Sequence, residues 1–359
     1  MMKIIRIYST QLTKLALGLG ASLVLLLCSS LHAQAADELR VITFEGYAEP
    51  AWLEPFEKEF DVEVKSVYIG SNDEYMAKLA ADAGRGGYDV VLIVSALVQP
   101  AIRSGFLEPL NLDLLPNLKD QFESMQTMEI NFHEGEMYAA CIFWGTSPIT
   151  ASSAAIPADA DYGVLFDPQY AGKLAVWDDI SSIADTATYM GYENIWDLSD
   201  EELEAVKAKM IEQKPLLRKY WTRAGELIEL FQTGEIVAAN SWNYITNALN
   251  AADFPAHEVL NSPPVAWIDN YSIVKGTKNL ELAHQYINHI ISAKIQALIG
   301  EHTGYTVCNP KSKEHMDPVV WEKLYMDEGP DLVKDANLWE EIPRREKYNE
   351  VWNEIKGAN

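Results

Sequence analysis

The segment YDVVLIV at residues 88–94, which follows Gly86-Gly87, is the strongest fold signal in the chain. A short apolar run bounded by glycine is typical of a strand that is buried on both faces of a parallel sheet. Two further strand patterns, at 40–44 and 62–69, precede it, and each is followed by a helical pattern. Repeated strand–helix units predict an open α/β sheet, whose ligands gather at the carboxyl ends of its strands.

The helical patterns carry start signals of their own. The first covers 51–60. The second starts at Ser71, where Glu74 three residues later indicates a capping box, and it continues to about Ala83. The further predicted elements are helices at 199–213, 223–233 and 280–299 and strands at 235–240 and 266–269. The second half of the chain is therefore predicted to be richer in helix.

The chain is long and strongly acidic. It has 359 residues, with 53 Asp and Glu against 28 Lys and Arg, and its formal net charge is −25. This length predicts about two domains, because one core rarely grows beyond roughly 250–300 residues. Binding to nucleic acid needs a surface rich in Lys and Arg, so the composition excludes it as a main function and favours cationic ligands.

Residues 1–35 have the three parts of a secretory signal peptide. A basic start precedes an uncharged apolar run at 15–27, and the small-residue site Ala33-Gln34-Ala35 follows. Cleavage there would remove three positive charges and change the net charge from −25 to −28. The alternative is an uncleaved anchor formed by 15–31, which is nearly long enough to span a membrane. The predicted location is the periplasm.

Two cysteines, Cys141 and Cys308, remain after such cleavage. An oxidising compartment permits a disulfide between them, and two buried free thiols are the alternative that the sequence leaves open. The sequence has no zinc-type Cys/His spacing, Gly-rich phosphate loop, GxSxG or HExxH motif. It therefore predicts a protein that is not an enzyme and that holds no metal and no cofactor.

Aromatic residues stand beside polar or acidic ones in short segments that follow predicted strands. These segments are 44–47 (FEGY), 177–179 (WDD), 241–243 (SWN), 267–269 (WID) and 339–340 (WE). Aromatic faces attract cations and cover aliphatic chains, and carboxylates form charge-assisted hydrogen bonds with ammonium groups. The pattern predicts a flexible organic polyamine as the ligand. Chance neighbours are the alternative, because the chain contains 10 Trp, 17 Tyr and 10 Phe.

Two other function classes fit parts of this pattern. A receptor for a sugar or another small cationic solute would have the same tryptophan walls. If the ligand were a neutral sugar, high salt would not weaken its binding. A hydrolase would need a nucleophile paired with a base, and turnover of an amine or glycoside substrate would reveal it.

Taken in order, these segments resemble those of the bacterial periplasmic spermidine/putrescine-binding proteins of ABC importers. The resemblance spans about 38–356 and rests on the ordered set rather than on any single motif. Its motifs are FEGY at 44–47, GYDVV at 87–91, LAVWDD at 174–179, SWN at 241–243, WIDN at 267–270 and GYT at 304–306.

The resemblance implies an α/β fold of the two-lobed, type II-like periplasmic binding protein class, with open sheets, flanking helices and a central hinge. The N-terminal lobe would contain 37–144 and 268–313, and the C-terminal lobe would contain 145–267 and 314–359. The ligand would lie in the cleft between the lobes, which would close over it.

The resemblance also implies ligand contacts at matching positions of this chain. Two carboxylates, Asp179 and Asp269, would grip amino groups. The aromatic walls along the methylene chain would be Phe44, Tyr47, Trp242 and Trp267. The remaining contacts would be Tyr305 at one end, Ser95 in the loop after the third strand, Glu340 at a terminal amine, and Glu45 in the first segment.

Three positions depart from the family pattern: Ser182 replaces an acid, Leu97 replaces a tyrosine and Glu45 replaces a threonine-like residue. Because one acid is lost and another is gained, we expect polyamine binding to persist with an altered preference, toward triamines such as spermidine or norspermidine. The same changes keep open the family's sensor subset, whose members dock on a membrane receptor that controls cyclic-di-GMP and biofilm formation.

The implied partner is thus an inner-membrane ABC permease or a membrane sensor receptor, and the binding protein itself is expected to be a monomer. The cleft residues cannot separate these two roles, because both begin with the same capture step.

Overall fold

The computed structural model describes residues 37–261, 263–328 and 336–358. The predicted signal peptide at 1–35 lies outside them. In the described part of the chain, no helix is long and apolar enough to cross a membrane.

The strands are β1 Asp37–Phe44, β2 Val62–Ile69, β3 Val90–Val94, β4 Leu107–Glu108, β5 Phe132–His133, β6 Glu136–Met137, β7 Ala139–Thr146, β8 Ile149–Ser152, β9 Leu174–Trp177, β10 Leu217–Trp221, β11 Ala238–Asn240, β12 Ala256–Val259, β13 Val265–Val274, β14 Thr306–Val307 and β15 Asn337–Leu338. The helices are α1 Pro50–Phe60, α2 Asn72–Asp82, α3 Ser95–Arg103, α4 Glu123–Gln126, α5 Ser181–Tyr189, α6 Asp200–Gln213, α7 Ala224–Gln232, α8 Asn243–Ala251, α9 Leu280–Ile290, α10 Ala293–Thr303, α11 Pro318–Lys323 and α12 Arg345–Gly357.

The larger of the two main sheets, the large sheet, has the order β14-β7-β13-β3-β1-β2, and β4 and β15 also pair with β13. Strand β1 runs parallel to β3, while β13 runs antiparallel to both β3 and β7. Every residue of β3 and β13 is buried, as expected for central strands that are covered on both faces. The apolar run at 88–94 therefore marks the centre of the large sheet, although the strand itself starts at Val90.

The small sheet has the order β10-β9-β11-β8-β12. Strand β9 is parallel to β10 and β11, and β8 is antiparallel to β11 and β12. The chain passes from the large sheet to the small sheet at 147–148 and returns between β12 and β13. The Ser147 amide donates to the Val265 carbonyl at 2.9 Å. The two sheets are thus joined by neighbouring connecting segments in a mixed α/β architecture.

The lobe boundaries at 144 and 268 remain a prediction, and the strands change sheet at slightly different places. Strands β7 and β13 stay in the large sheet over their full lengths, because they pair with each other from Ala139 to Thr146. The C-terminal segment is divided: β15 pairs with β13, whereas α12 packs on α6 beside the small sheet.

One helix prediction was wrong in its length. The apolar periodicity at 280–299 continues without a break, yet the structure has two helices, α9 and α10, joined at Ile291 and Ser292. Ser292 is extended, with φ −69° and ψ 148°, and is the N-cap residue directly before α10. In contrast, the helix predicted at 199–213 is confirmed, with a capping box between Ser199 and Glu202.

The structure joins Cys141 and Cys308 in a disulfide, with a Cα–Cα distance of 6.1 Å. Cys141 lies in β7, and Cys308 directly follows β14, which pairs with β7 at Thr306 and Val307. The bond ties the edge strand β14, and with it the segment around Tyr305, to the interior of the large sheet.

Candidate functional site

A narrow groove lies where the carboxyl ends of strands from both sheets meet. It has two adjoining chambers, which share Asn72, Val94 and Trp339. The first chamber is lined by Phe44, Tyr47, Asn72, Val94, Trp177, Trp242, Trp267, Asp269 and Trp339. The second chamber is lined by Asn72, Val94, Ala96, Leu97, Asp179, Ile180, Ser181, Trp196, Trp339, Glu340, Ile342 and Arg345.

The strand ends explain this convergence. Phe44 ends β1 and Val94 ends β3, while Asp269 in the antiparallel β13 is directly paired with Val94. From the small sheet, Trp177 ends β9 and Trp242 follows the end of β11. Open α/β sheets bind ligands at these ends, so both sheets contribute side chains to one site.

Asp269 is the carboxylate of the first chamber, and it is almost completely buried, with 5% exposure. Burial raises its pKa to about 8, because a charge loses its hydration in such a site. Among the described residues, no side chain or backbone group donates a hydrogen bond to this carboxylate. A buried carboxyl group without hydrogen-bond donors either ionises beside an external cation or retains its proton.

Aromatic rings form the walls around Asp269. The Trp242 ring lies edge-on to Phe44 at 5.3 Å and to Trp177 at 5.0 Å between centroids. On the other side, Trp267 packs edge-on against Tyr305 at 4.8 Å. These contacts bury the rings and fix their faces, which suits a cation or an aliphatic chain between them.

A pair of tyrosines closes one side of the first chamber. The Tyr47 and Tyr305 hydroxyls are hydrogen-bonded at 2.7 Å. Burial, together with the nearby Asp269 charge, raises the pKa of both hydroxyls well above the usual range. They remain neutral hydrogen-bonding groups at any physiological pH. Tyr305 itself does not line either chamber, so it acts on the site through Tyr47 and Trp267.

Asp179, the carboxylate of the second chamber, is already hydrogen-bonded. Its Oδ2 accepts from the amide and the side-chain nitrogen of Asn72, at 3.0 and 3.3 Å, and its Oδ1 accepts from the Ser181 amide at 2.9 Å. Burial raises its pKa, and the hydrogen bonds and the charge of Arg345 oppose that rise. Because Asn72 begins α2 on the large-sheet side, this contact joins the two sides of the groove.

The far end of the second chamber carries charges of both signs. Glu340 is exposed there. Arg345 also lines the chamber and is half-buried, and its Nε donates to Asp73 Oδ1 at 2.9 Å.

Three of the predicted contact residues line neither chamber: Tyr305, described above, Glu45 and Ser95. The Glu45 carboxylate accepts from the Gly225 amide at 2.9 Å, at the N-terminus of α7 on the opposite side, where the helix dipole favours an anion. Ser95 begins α3, and its buried hydroxyl has no hydrogen-bond partner in the described part of the chain. The other seven line one of the two chambers. The roles of all ten residues as ligand contacts remain predictions.

The structure also adds residues to the groove that were not selected from the sequence. Trp177 and Trp339 stand in the aromatic–acid segments, so their pattern could have identified them. Asn72, Trp196 and Arg345 carry no local signal, because only the packing of distant segments brings them to the groove.

A larger groove, of about 570 Å³, lies beside the connecting segments, where Gly145, Thr146 and Pro264 form part of its wall. The Glu258 carboxylate in its wall accepts from the Asn243 side chain at 3.0 Å and so already has a partner. Across residues 37–261, 263–328 and 336–358, no cluster of three or more His, Cys, Asp or Glu residues could hold a metal ion.

The chain is similar in sequence and fold to several known proteins. A family model described as bacterial extracellular solute-binding protein matches residues 51–326. A putrescine/cadaverine-binding protein of Pseudomonas aeruginosa is 26% identical over 92% of this chain and 97% of its own length. A spermidine/putrescine-binding periplasmic protein of Haemophilus influenzae is 22% identical over 91% of each chain. The solved structure of a putative spermidine/putrescine ABC transporter from Listeria monocytogenes superposes with a TM-score of 0.79, at 21% identity over 90% of this chain and all of the other.

Proposed function

Since this chain belongs to the bacterial extracellular solute-binding protein family, we propose that it captures a linear polyamine of the spermidine or norspermidine type in the groove between its two sheets. As a member of that family it is a binding protein and not an enzyme. The names of the relatives from Pseudomonas and Haemophilus support an amine ligand.

The proposal rests on the Asp269 carboxylate, which accepts no hydrogen bond from the described residues. An ammonium group supplies both the charge and the hydrogen-bond donors that a buried carboxylate lacks. The surrounding faces of Trp242 and Trp267 stabilise a desolvated cation and cover the methylene groups on either side of it. A neutral sugar would leave the carboxylate without a counter-charge.

Hydrogen bonds across the groove support closure of its two sides. The bonds from Asn72 to Asp179 and from Gly225 to Glu45, and that from the Trp177 indole to the Gly70 carbonyl at 3.0 Å, all cross the groove. A ligand that favours this closed arrangement shifts the population toward it. The closed outer surface then reports the bound state to a partner.

The partner is an inner-membrane protein, either the permease of an ABC importer or a receptor that controls cyclic-di-GMP and biofilm formation. The names of the Haemophilus and Listeria proteins support transport. Glu45 and Leu97, which depart from the family pattern, are the reason to consider a signalling receptor as the partner. Adjacent genes for a permease and an ATPase would favour uptake, whereas an adjacent receptor gene with cyclic-di-GMP domains would favour signalling.

Calorimetric titration with spermidine and norspermidine tests the capture step. Asp269→Asn keeps the shape of the side chain but removes the charge, and we expect it to weaken binding by about 2–5 kcal/mol. Asp178→Asn is the matched control, because Asp178 pairs with Trp352 and Lys356 and lines neither chamber. Absence of heat and of any melting shift with the unmodified protein at millimolar ligand would refute the proposal.

A further inference from the structure

A four-residue segment on the large-sheet side of the groove is bonded to the small-sheet side. Residues 70–73 (GSND), which we call the clasp, link β2 to the first turn of α2. The Gly70 carbonyl accepts from the Trp177 indole at 3.0 Å, and Asn72 donates to Asp179 from both its amide and its side chain. Trp177 ends β9 in the small sheet, and Asp179 follows it two residues later. The clasp therefore joins the two sides of the groove.

The glycine of the clasp is required by the opposite side of the groove and not by its own backbone. A Cβ atom on Gly70 would lie 2.9 Å from the Thr222 carbonyl oxygen and 3.2 Å from the Thr222 Cβ. Thr222 directly follows β10 of the small sheet. The φ angle of Gly70 lies outside the left-handed region that favours glycine, so alanine suits the local conformation. It is therefore the close approach of the small-sheet side that excludes a side chain at this position.

The carboxylate that binds the clasp already has its partners. Asp179 accepts two hydrogen bonds from Asn72 and one from the Ser181 amide. Burial raises the pKa of Asp179, and the charge of Arg345 is among the influences that oppose this rise. A buried carboxylate with several donors and a nearby cation needs no ammonium group from a ligand. Asp269 has no such donors among the described residues, so the two acids have different surroundings.

We propose that Asp179 is a positioning residue for closure rather than a ligand contact: it holds the clasp through Asn72, while Gly70 lets the two sides meet. Asn72 lines both chambers, so release of the clasp withdraws a wall of each chamber. A bound ligand is retained as long as the clasp stays bonded to Asp179. This inference rests on the proposed capture of an amine in the groove.

A double-mutant cycle on spermidine affinity, measured by calorimetry, separates the two roles of Asp179. Gly70→Ala keeps the clasp from reaching Thr222 and should weaken binding about tenfold. Asp179→Asn should weaken binding about threefold to tenfold in the unmodified chain, but by less than about twofold in the Gly70→Ala background. An equal loss in both backgrounds would overturn this inference while capture stands, because a direct ligand contact does not depend on the clasp. If the unmodified protein does not bind spermidine, both proposals fail.

The chain offers a matched control for the glycine substitution. A Cβ atom on Gly357 would meet no atom within 4 Å, so Gly357→Ala should leave the affinity unchanged, and equal weakening by both glycine variants would count against the clasp. The melting temperature of each ligand-free variant checks its folding. If Gly70→Ala does not fold, Asn72→Ala serves as the second background, because it removes the side-chain donor to Asp179. The effect of Asp179→Asn should again be smaller there, and an undiminished effect would contradict the inference.

An ion pair at the end of the clasp gives an independent test. Arg345 of α12 donates from Nε to Asp73 Oδ1 at 2.9 Å. Arg345→Gln removes this ion pair and should speed spermidine dissociation about twofold to threefold in stopped-flow measurements. Arg344→Gln, whose partner is Asp200 outside the groove, should leave the rate unchanged. Slower dissociation from Arg345→Gln would mean that Arg345 repels the ligand instead of holding the clasp, and would contradict the assignment.

Discussion

The affinity for an amine should depend steeply on pH because of one carboxyl group. Asp269 has a pKa of about 8 in the ligand-free protein because it is buried, so at pH 7 it holds a proton. Binding of an ammonium group requires the ionised form. The neighbouring Tyr47 and Tyr305 hydroxyls have pKa values well above the usual range and do not titrate in this interval. Terminal amines of the ligand stay charged, since their pKa lies near the value of about 10.4 for lysine.

The magnitude follows from the ionised fraction. With a pKa of about 8, that fraction is roughly 1% at pH 6, about 9% at pH 7 and about one half at pH 8. The association constant for spermidine should therefore rise by about 50-fold between pH 6 and pH 8. At pH 7, capture should release about 0.9 proton, because the bound ammonium group holds Asp269 ionised.

Isothermal titration in buffers of different ionisation enthalpy measures both quantities. Asp269→Asn should bind weakly and lose the slope, while Asp178→Asn should retain it. Equal affinities at pH 6 and pH 8, or binding at pH 7 without proton release, would refute the assignment of a protonated Asp269 as the group that meets the amine.

The remaining predictions concern stability and closure. Asp185 is buried, and burial raises its pKa to about 7; the folded state thus holds this proton more tightly than the unfolded state, and the stabilisation present below about pH 4 is lost as the pH rises through 7. Asp185→Asn should flatten this part of the dependence of the melting temperature on pH, and an unchanged slope would contradict it. Replacing Cys141 and Cys308 together by alanine should lower the free energy of unfolding by about 2–5 kcal/mol, measured in denaturant, and an unchanged value would show that the bond contributes nothing. Glu45→Gln should speed ligand dissociation about threefold to tenfold by weakening the bond to Gly225 across the groove; stopped-flow measurement tests this, and an unaltered rate would exclude closure through Glu45.

The central architecture could be predicted from local patterns. The segment 88–94, with its apolar residues 90–94, identified β3, and the Ser199 and Glu202 pair marked the start of α6. The break between α9 and α10 could not be predicted, because the apolar periodicity continues through Ser292. Backbone conformation at a single residue leaves no trace in such a pattern.

Only part of the site could be predicted from the sequence, for a similar reason. Asp269 and Trp267 stand in one motif, and the pairing of Asp269 with Val94 brings that motif to the end of β3. The hydrogen bond from Gly225 to Glu45 joins residues that are 180 positions apart, so the sequence could not show this contact across the groove; the role of Glu45 as a ligand contact remains a prediction. The two cysteines posed the same difficulty, because only the pairing of β14 with β7 shows that they are neighbours.

Arg345 and Trp196 show where a family likeness stops being informative. Neither belongs to the ordered motifs, and both reach the second chamber through the packing of the C-terminal half of the chain. Their place beside the groove is set only in the folded protein. Selectivity therefore has to be argued from the groove rather than from the motifs.

The decisive experiment is a crystal structure of the complex with spermidine. We expect a ligand nitrogen within about 3 Å of the Asp269 carboxylate, methylene groups between Trp242 and Trp267, and a ligand chain that passes Asn72 toward the second chamber. A ligand seated in the larger groove beside Glu258, or one whose nitrogens all lie away from Asp269, would contradict it.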